Sequence, residues 1–237
     1  RASRQFPKAD QVAQAGRAES PLLWSRLEGE IGLLFLKREQ FVEAFDMLLR
    51  ADFWDDAAYL AERVLTVNEL IEYVKHHPEF SGKEPEGNTF RLDWGGSRGN
   101  LRYLLGRRLV RLGRFDEAKG YLPSQLHRWL DEYAAGAKLK AGSQKPAEKE
   151  AELLFRAAKT ARYWGMELMG TEVEPDWAMD GGEFERIEFS KIRKENTKSF
   201  APVGKKESER TTANQVKPDK RFHYRYIAAD LAWEAAR

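Results

Sequence analysis

The sequence predicts an all-α fold built from short antiparallel helix pairs. Three observations predict it: apolar residues recur at helical spacing through most of the chain, no stretch alternates as a half-buried strand would, and one helix-turn-helix pattern occurs twice. With 237 residues, 42% of them hydrophobic, the chain can bury a sizeable core.

Residues 1–20 read as a flexible N-terminal segment, 21–170 as the helical domain, 171–220 as a polar insertion and 221–237 as a helix continuing the array. Ser20 and Pro21 supply a cap and a first-turn proline, and Leu23, Leu27, Ile31, Leu34 and Phe35 form the first apolar stripe. After a break at Lys37 to Gln40, Phe41, Phe45, Leu48 and Leu49 form a second stripe; Ala57, Leu60, Ala61 and Val64 form a third. Thr66 and Glu69 have the spacing of a capping box, which starts a fourth helix that Pro78 should end.

From Pro78 to Asn100 the composition turns to Gly, Pro, Ser, Asn and charge, too long and polar for an ordinary helix connection, and reads as an inserted loop. Helices resume over 100–112, 115–122, 124–138 and 146–169, separated by Gly113, Pro123 and the linker GAKLKAGSQKP. The tract 171–220 is rich in Lys, Glu, Ser and Asn and is expected to be partly disordered, with room for one exposed helix in GGEFERIEFSKIRKE. RFHYRYIAADLAWEAAR is strongly helical again.

The two copies of the pattern, EIGLLFLKREQFVEAFDMLLRA and YLLGRRLVRLGRFDEAKGYLP, superpose Gly32 on Gly106, Phe35 on Leu109, Phe41 on Phe115, Glu43 on Glu117, Ala44 on Ala118 and Leu48 on Leu122. This arrangement resembles the tetratricopeptide repeat (TPR). Gly106, Gly113, Phe115 and Ala118 stand where that family places its small and packing residues, whereas the large residue early in the first helix is shifted to Tyr103 and the closing proline is missing. Looser copies lie at Leu60-Ala61-Val64, Ala157-Ala158-Ala161-Gly165 and Ile227-Ala228-Leu231, and the units are about 29 to 74 residues apart where the family repeats about every 34. The resemblance implies a degenerate TPR-like α-α superhelix with two long polar insertions, and a concave face of the kind that holds peptides or proteins.

Charge narrows the partners. Against 38 acidic residues stand 40 basic ones, a net charge of +2, which gives no global reason for a nucleic-acid or membrane partner. DNA is not expected, RNA ranks below protein, and no apolar run approaches the roughly 20 residues of a membrane span. The absence of cysteine removes disulfides and thiolate chemistry and leaves the compartment open.

Candidate chemistry is sparse. His76 and His77 stand at a helix end, where a cation suits the helix dipole; with His127 and His223 they complete the histidines, and none has metal-ligand spacing. WGGSRGNLRYLLG could cradle an anion at a helix start beside Arg98, but it lacks the lysine and hydroxyl of a P-loop. Glu167, Glu172, Glu174 and Asp176 read as a solvated turn beside Pro175 rather than paired acids. The aromatics Tyr163, Trp164, Trp177, Phe222, Tyr224, Tyr226 and Trp233 could stack on a ligand and read more simply as packing between helices. Arg107, Arg111 and Arg114 fall at i, i+4 and i+7, opposite Leu101, Leu105, Leu109 and Leu112, and with Arg102 they form a cationic ridge.

These observations lead to a non-catalytic interaction scaffold from a longer, bacterial protein. It is expected to bind a protein or acidic peptide through Arg102, Arg107, Arg111 and Arg114, with no catalytic residue, metal or cofactor. The alternatives are a regulatory or substrate-recruiting helical domain of a larger enzyme, and an α-helical enzyme or small-molecule binder using the 78–100 loop as a lid, with the 171–177 carboxylates lining its pocket.

Overall fold

The computed structural model describes residues 20–78, 101–139, 146–170, 203–214 and 224–237. Of these, 82% are helical; ten α-helices pack against each other and no strand is present among the described residues, so the fold is all-α. Residues 1–19, 79–100 (nearly all of the stretch read as an inserted loop), 140–145, 171–202 and 215–223 lie outside the described residues.

The first hairpin is α1 (Pro21–Lys37) and α2 (Phe41–Arg50). Next, α3 (Trp54–Tyr59) runs directly into a π-helical turn (Leu60–Val64), followed by α4 (Val67–His76). The second hairpin is α5 (Leu101–Arg111) and α6 (Phe115–Lys119); a 3-10 turn (Ser124–Leu126) leads to α7 (His127–Ala137) and then to α8 (Glu148–Leu168). Two further helices follow, α9 (Lys205–Asn214) and α10 (Tyr224–Ala236).

The two hairpins share local geometry. A Cβ built on Gly32 would lie 3.1 Å from Leu48 Cγ, and one on Gly106 would lie 2.9 Å from Leu122 Cδ2, so each glycine admits the leucine of its own second helix. Both turns pass through positive φ, 60° at Glu39 and 73° at Gly113, and both close with a 3.0 Å bond, from Gln40 N to Phe35 O and from Arg114 N to Leu109 O.

One continuous core runs from Phe41, Phe45 and Leu48 through Leu60, Leu65 and Leu70 to Leu104, Leu105, Leu109, Leu130 and Leu168. At its far end α8 is sandwiched between α7 and α10, and the Tyr224 side chain occupies the space that a Cβ on Gly165 would need. Trp129 and Trp164 stack with ring centroids 5.0 Å apart, in the packing role read for Trp164.

The structure departs from expectation in three places. Ser20 takes the cap position of α1 without a side-chain bond, and the apolar stripe of that helix is wider than its buried face: Glu28, Gly29 and Gly32 are inside while Leu22, Leu23, Leu27, Leu33 and Leu34 remain exposed. The third helix is not α-helical throughout, since the bond from Leu65 N to Leu60 O (2.8 Å) closes a π turn. Within the tract read as a polar, partly disordered insertion, α9 is an ordered helix docked on the π turn.

Candidate functional site

A helix ends with carbonyls that have no intrahelical partner, and that end carries partial negative charge. The π turn multiplies this need, because its wider backbone loop offers carbonyls to side chains from both flanks. On one flank, Arg108 donates to Ala61 O; on the other, Asn214 Nδ2 donates to Arg63 O at 2.9 Å and Arg210 Nη1 to Val64 O at 3.4 Å. The turn is thereby a hub between α5 and α9.

The α5 flank holds the arginines expected to meet a partner, and here the cationic ridge needs correcting. Arg107 is 3% exposed: its guanidinium lies 4.0 Å from Met166 Sδ and 5.4 Å from the Tyr103 ring centroid. Arg111 pairs with Glu62 of the π turn and donates to Met169 O at 2.6 Å, with the pair's side chains 5% and 7% exposed. Arg108, also buried, is pushed down to about 10 by desolvation, opposed by the nearby Glu62 charge. From inside the protein, Arg108 thus meets a carbonyl of the π turn and Arg111 the carbonyl that ends α8.

The outer two arginines are also engaged. Arg102 donates to Gly120 O and lies over the Tyr121 ring, and Arg114 forms a fork on Glu117 at 2.6 and 2.7 Å while reaching Asn68 Oδ1 at 3.2 Å. Of the four predicted contacts, only these two lie toward solvent.

The opposite flank receives a whole helix. The sequence of α9, KKESERTTAN, has no apolar stripe, and its buried residues are Glu207 and Thr211. Its seating is polar and periodic. Lys206, Arg210 and Asn214, at i, i+4 and i+8, meet Glu39, Glu69 and the Arg63 carbonyl in turn. Glu39 Oε1 accepts from Lys206 N at 3.0 Å and Oε2 lies 3.0 Å from its Nζ, so a carboxylate from the α1–α2 turn caps the first turn of α9. Arg210 bonds Glu69 Oε2 at 2.8 Å and Oε1 at 3.3 Å and covers the Phe41 ring, 4.6 Å from its centroid.

One turn round the helix, Tyr59 donates to Glu207 Oε1 at 3.0 Å and lies 3.3 Å from Thr211 Oγ1. Burial raises the Glu207 carboxyl and pushes the Tyr59 phenol up to about 12. The Lys206 amide, then its ammonium, hold Glu39 below the usual carboxylate value. Burial would raise Glu69, but bonds from the Thr66 amide and from Arg210 leave it lowered.

Glu69 has a second duty, because it also completes the capping box: Thr66 N donates to it at 2.7 Å and Glu69 N donates to Thr66 Oγ1 at 3.2 Å. The expected capping pair is thus also a docking residue. The signal that could have located α9 is the i, i+4, i+8 spacing of Lys206, Arg210 and Asn214.

The remaining candidates fall into structural places. His76 Nδ1 bonds Glu72 O at 2.8 Å, His77 stacks on Tyr73 at 4.2 Å, and His127 Nε2 bonds Leu122 O at 3.1 Å; His223 lies outside the described residues. Among the described residues no group of His, Cys, Asp or Glu is arranged to hold a metal ion, and no helix is long and apolar enough to cross a membrane. Tyr224 is buried while Tyr163, Tyr226 and Trp233 are exposed, and the WGGSRGN glycines, Trp177 and Phe222 lie outside the described residues.

No protein-family model matches the chain, no curated protein matches it, and no solved structure matches it.

Proposed function

We propose that this chain is a TPR-like, non-catalytic protein-interaction module that receives helical segments on the surface of its helix pairs. The observation that carries the reading is α9: a helix with no buried hydrophobic residue is held across the α1–α2 turn, α3, the π turn and α4 by side chains at regular helical intervals. A surface that can seat so polar a helix has the donor, acceptor and aromatic groups needed for helix recognition. The shared Gly-Leu geometry of the two hairpins supports the repeat reading. Burial of Arg107 and Arg111 moves the favoured surface from the arginines to the acidic and aromatic face under α9.

The test is capture of proteins from native lysate on the intact chain, with and without nuclease, followed by crosslinking and mass spectrometry to locate the contacts. A retained protein indifferent to nuclease, crosslinked to the helical surface, is the expected result. Retention lost with nuclease, or no retained protein, would overturn the reading.

A further inference from the structure

The α9 helix is seated with little apolar gain. Ten residues are too few to make a stable isolated helix, so α9 depends on its contacts, and most of those are hydrogen bonds and ion pairs that another helix could reproduce. The chain reaches α9 from α8 through 171–202 and leaves it for α10 through 215–223. The face beneath has its own composition: two carboxylates (Glu39, Glu69), the Phe41 ring and the end carbonyls of the π turn, all electron-rich, with the Tyr59 hydroxyl beside them donating to Glu207.

We propose that this face is a docking site for a helix of another protein bearing cations at i and i+4 and a carboxamide at i+8, and that Lys205–Asn214 is its resident competitor. The proposal deepens the interaction-module reading and rests on it. Charge complementarity names the occupant: a cation at i meets Glu39, a second at i+4 bridges Glu69 and the Phe41 ring, and the amide reaches the carbonyl of Arg63. An acidic helix would set its carboxylates against Glu39 and Glu69. While α9 is docked, a visiting helix sees only the fraction of molecules in which the face is open, so its affinity is lowered by that fraction.

The probe is a fluorescein-labelled peptide of residues 203–216, held helical by a lactam between Lys205 and Glu209. These two side chains face solvent as an i, i+4 pair 3.9 Å apart, so the bridge leaves the docking side untouched. Anisotropy titrations use the full chain as wild type, as K206A/R210A, and as K206A/R210A with Glu39→Lys added, each verified as folded by circular dichroism.

Binding to K206A/R210A is expected to be at least tenfold tighter than to wild type. Adding Glu39→Lys should weaken it at least tenfold, and a peptide carrying Lys206→Glu should recover most of that loss. Equal binding to wild type and K206A/R210A, indifference to Glu39→Lys, or no binding to a folded chain would each overturn the proposal. If instead lysate capture crosslinks a partner elsewhere on the helices, the docking face fails and the module reading stands; if capture fails while the peptide behaves as expected, the face seats only this chain's own helix, and the proposal falls together with the module reading.

Discussion

Glu62 and Arg111, 49 residues apart in the chain, form an ion pair whose side chains are almost wholly withdrawn from water. It ties the π turn to α5, and the second donor arm of Arg111 reaches Met169 O at the end of α8. Removing one partner leaves an uncompensated buried charge, so Glu62→Ala should lower stability by about 3–5 kcal/mol. The double variant E62L/R111M should lose less than the sum of the two single losses. Urea unfolding over the double-mutant cycle measures this, and additive losses would show that the pair is not coupled.

Gly106→Ala should destabilise more than Gly32→Ala. The added methyl would meet Leu122 Cδ2 at 2.9 Å and the Leu122 backbone nitrogen at 3.2 Å, whereas at Gly32 the nearest backbone atom is 3.4 Å away. Overpacking costs about 1–3 kcal/mol, against roughly 0.5–1 kcal/mol returned by the better helix propensity of alanine. Thermal unfolding of the two variants should rank them in that order.

Thr66→Ala and Glu69→Ala separate two duties of one carboxylate. The first removes a cap and should cost about 1 kcal/mol while leaving α9 seated. The second loses the cap together with the Arg210 pair, so protection of amides 205–214 should also fall. Glu69→Gln keeps the capping geometry and should lower that protection alone. Hydrogen exchange read by mass spectrometry distinguishes the three.

Docking of α9 should respond to pH in two opposed ways. Burial raises Glu207 above its ordinary 4.5, so its favourable contribution is complete below that value and fades as pH rises through the raised one. Glu39 and Glu69 are lowered, and their contribution is present above 4.5 and lost as pH falls through their folded values. Glu207→Gln removes the first effect alone, so protection factors over 205–214 should rise severalfold at pH 7 and match wild type near pH 4. The reverse order would show that the Glu207 charge favours docking.

Arg210 should resist trypsin in the folded chain, contrary to the early cleavage that the polar composition of 195–220 suggests. Phe41→Ala combined with Glu69→Gln removes the ring beneath the guanidinium and the charge beside it, and should make Arg210 cleavable. Cleavage at equal rates in both chains would mean that α9 is not held by these contacts.

What was legible in the sequence was what neighbouring residues decide among themselves. The capping box at Thr66 and Glu69, the turn at Gly113, and the equivalence of Gly32 with Gly106 and of Leu48 with Leu122 are local or periodic; the structure contains the box and the turn, and adds that each glycine faces the leucine of its own hairpin. The burial of Arg107 and Arg111 was not legible, because spacing of i, i+4 is the same on a wet face and on one that receives the ends of two other helices. Nor was the docking of α9: the spacing of Lys206, Arg210 and Asn214 marks one face of a helix, but its partners lie some 140 to 170 residues earlier in the chain and no apolar rhythm points to them. The π turn leaves no compositional mark, since LAERV serves an α-helix equally well.

That turn also governs how this chain must be compared with any relative. A π turn holds one residue more than the α-helical turn it replaces, so a relative that is α-helical throughout needs a single-residue gap within Leu60–Val64. Placing the gap instead after Thr66 would slide one column against the other across the intervening positions, about 100° of helix rotation per residue, and would pair the carboxylate of Glu62 with the wrong neighbour.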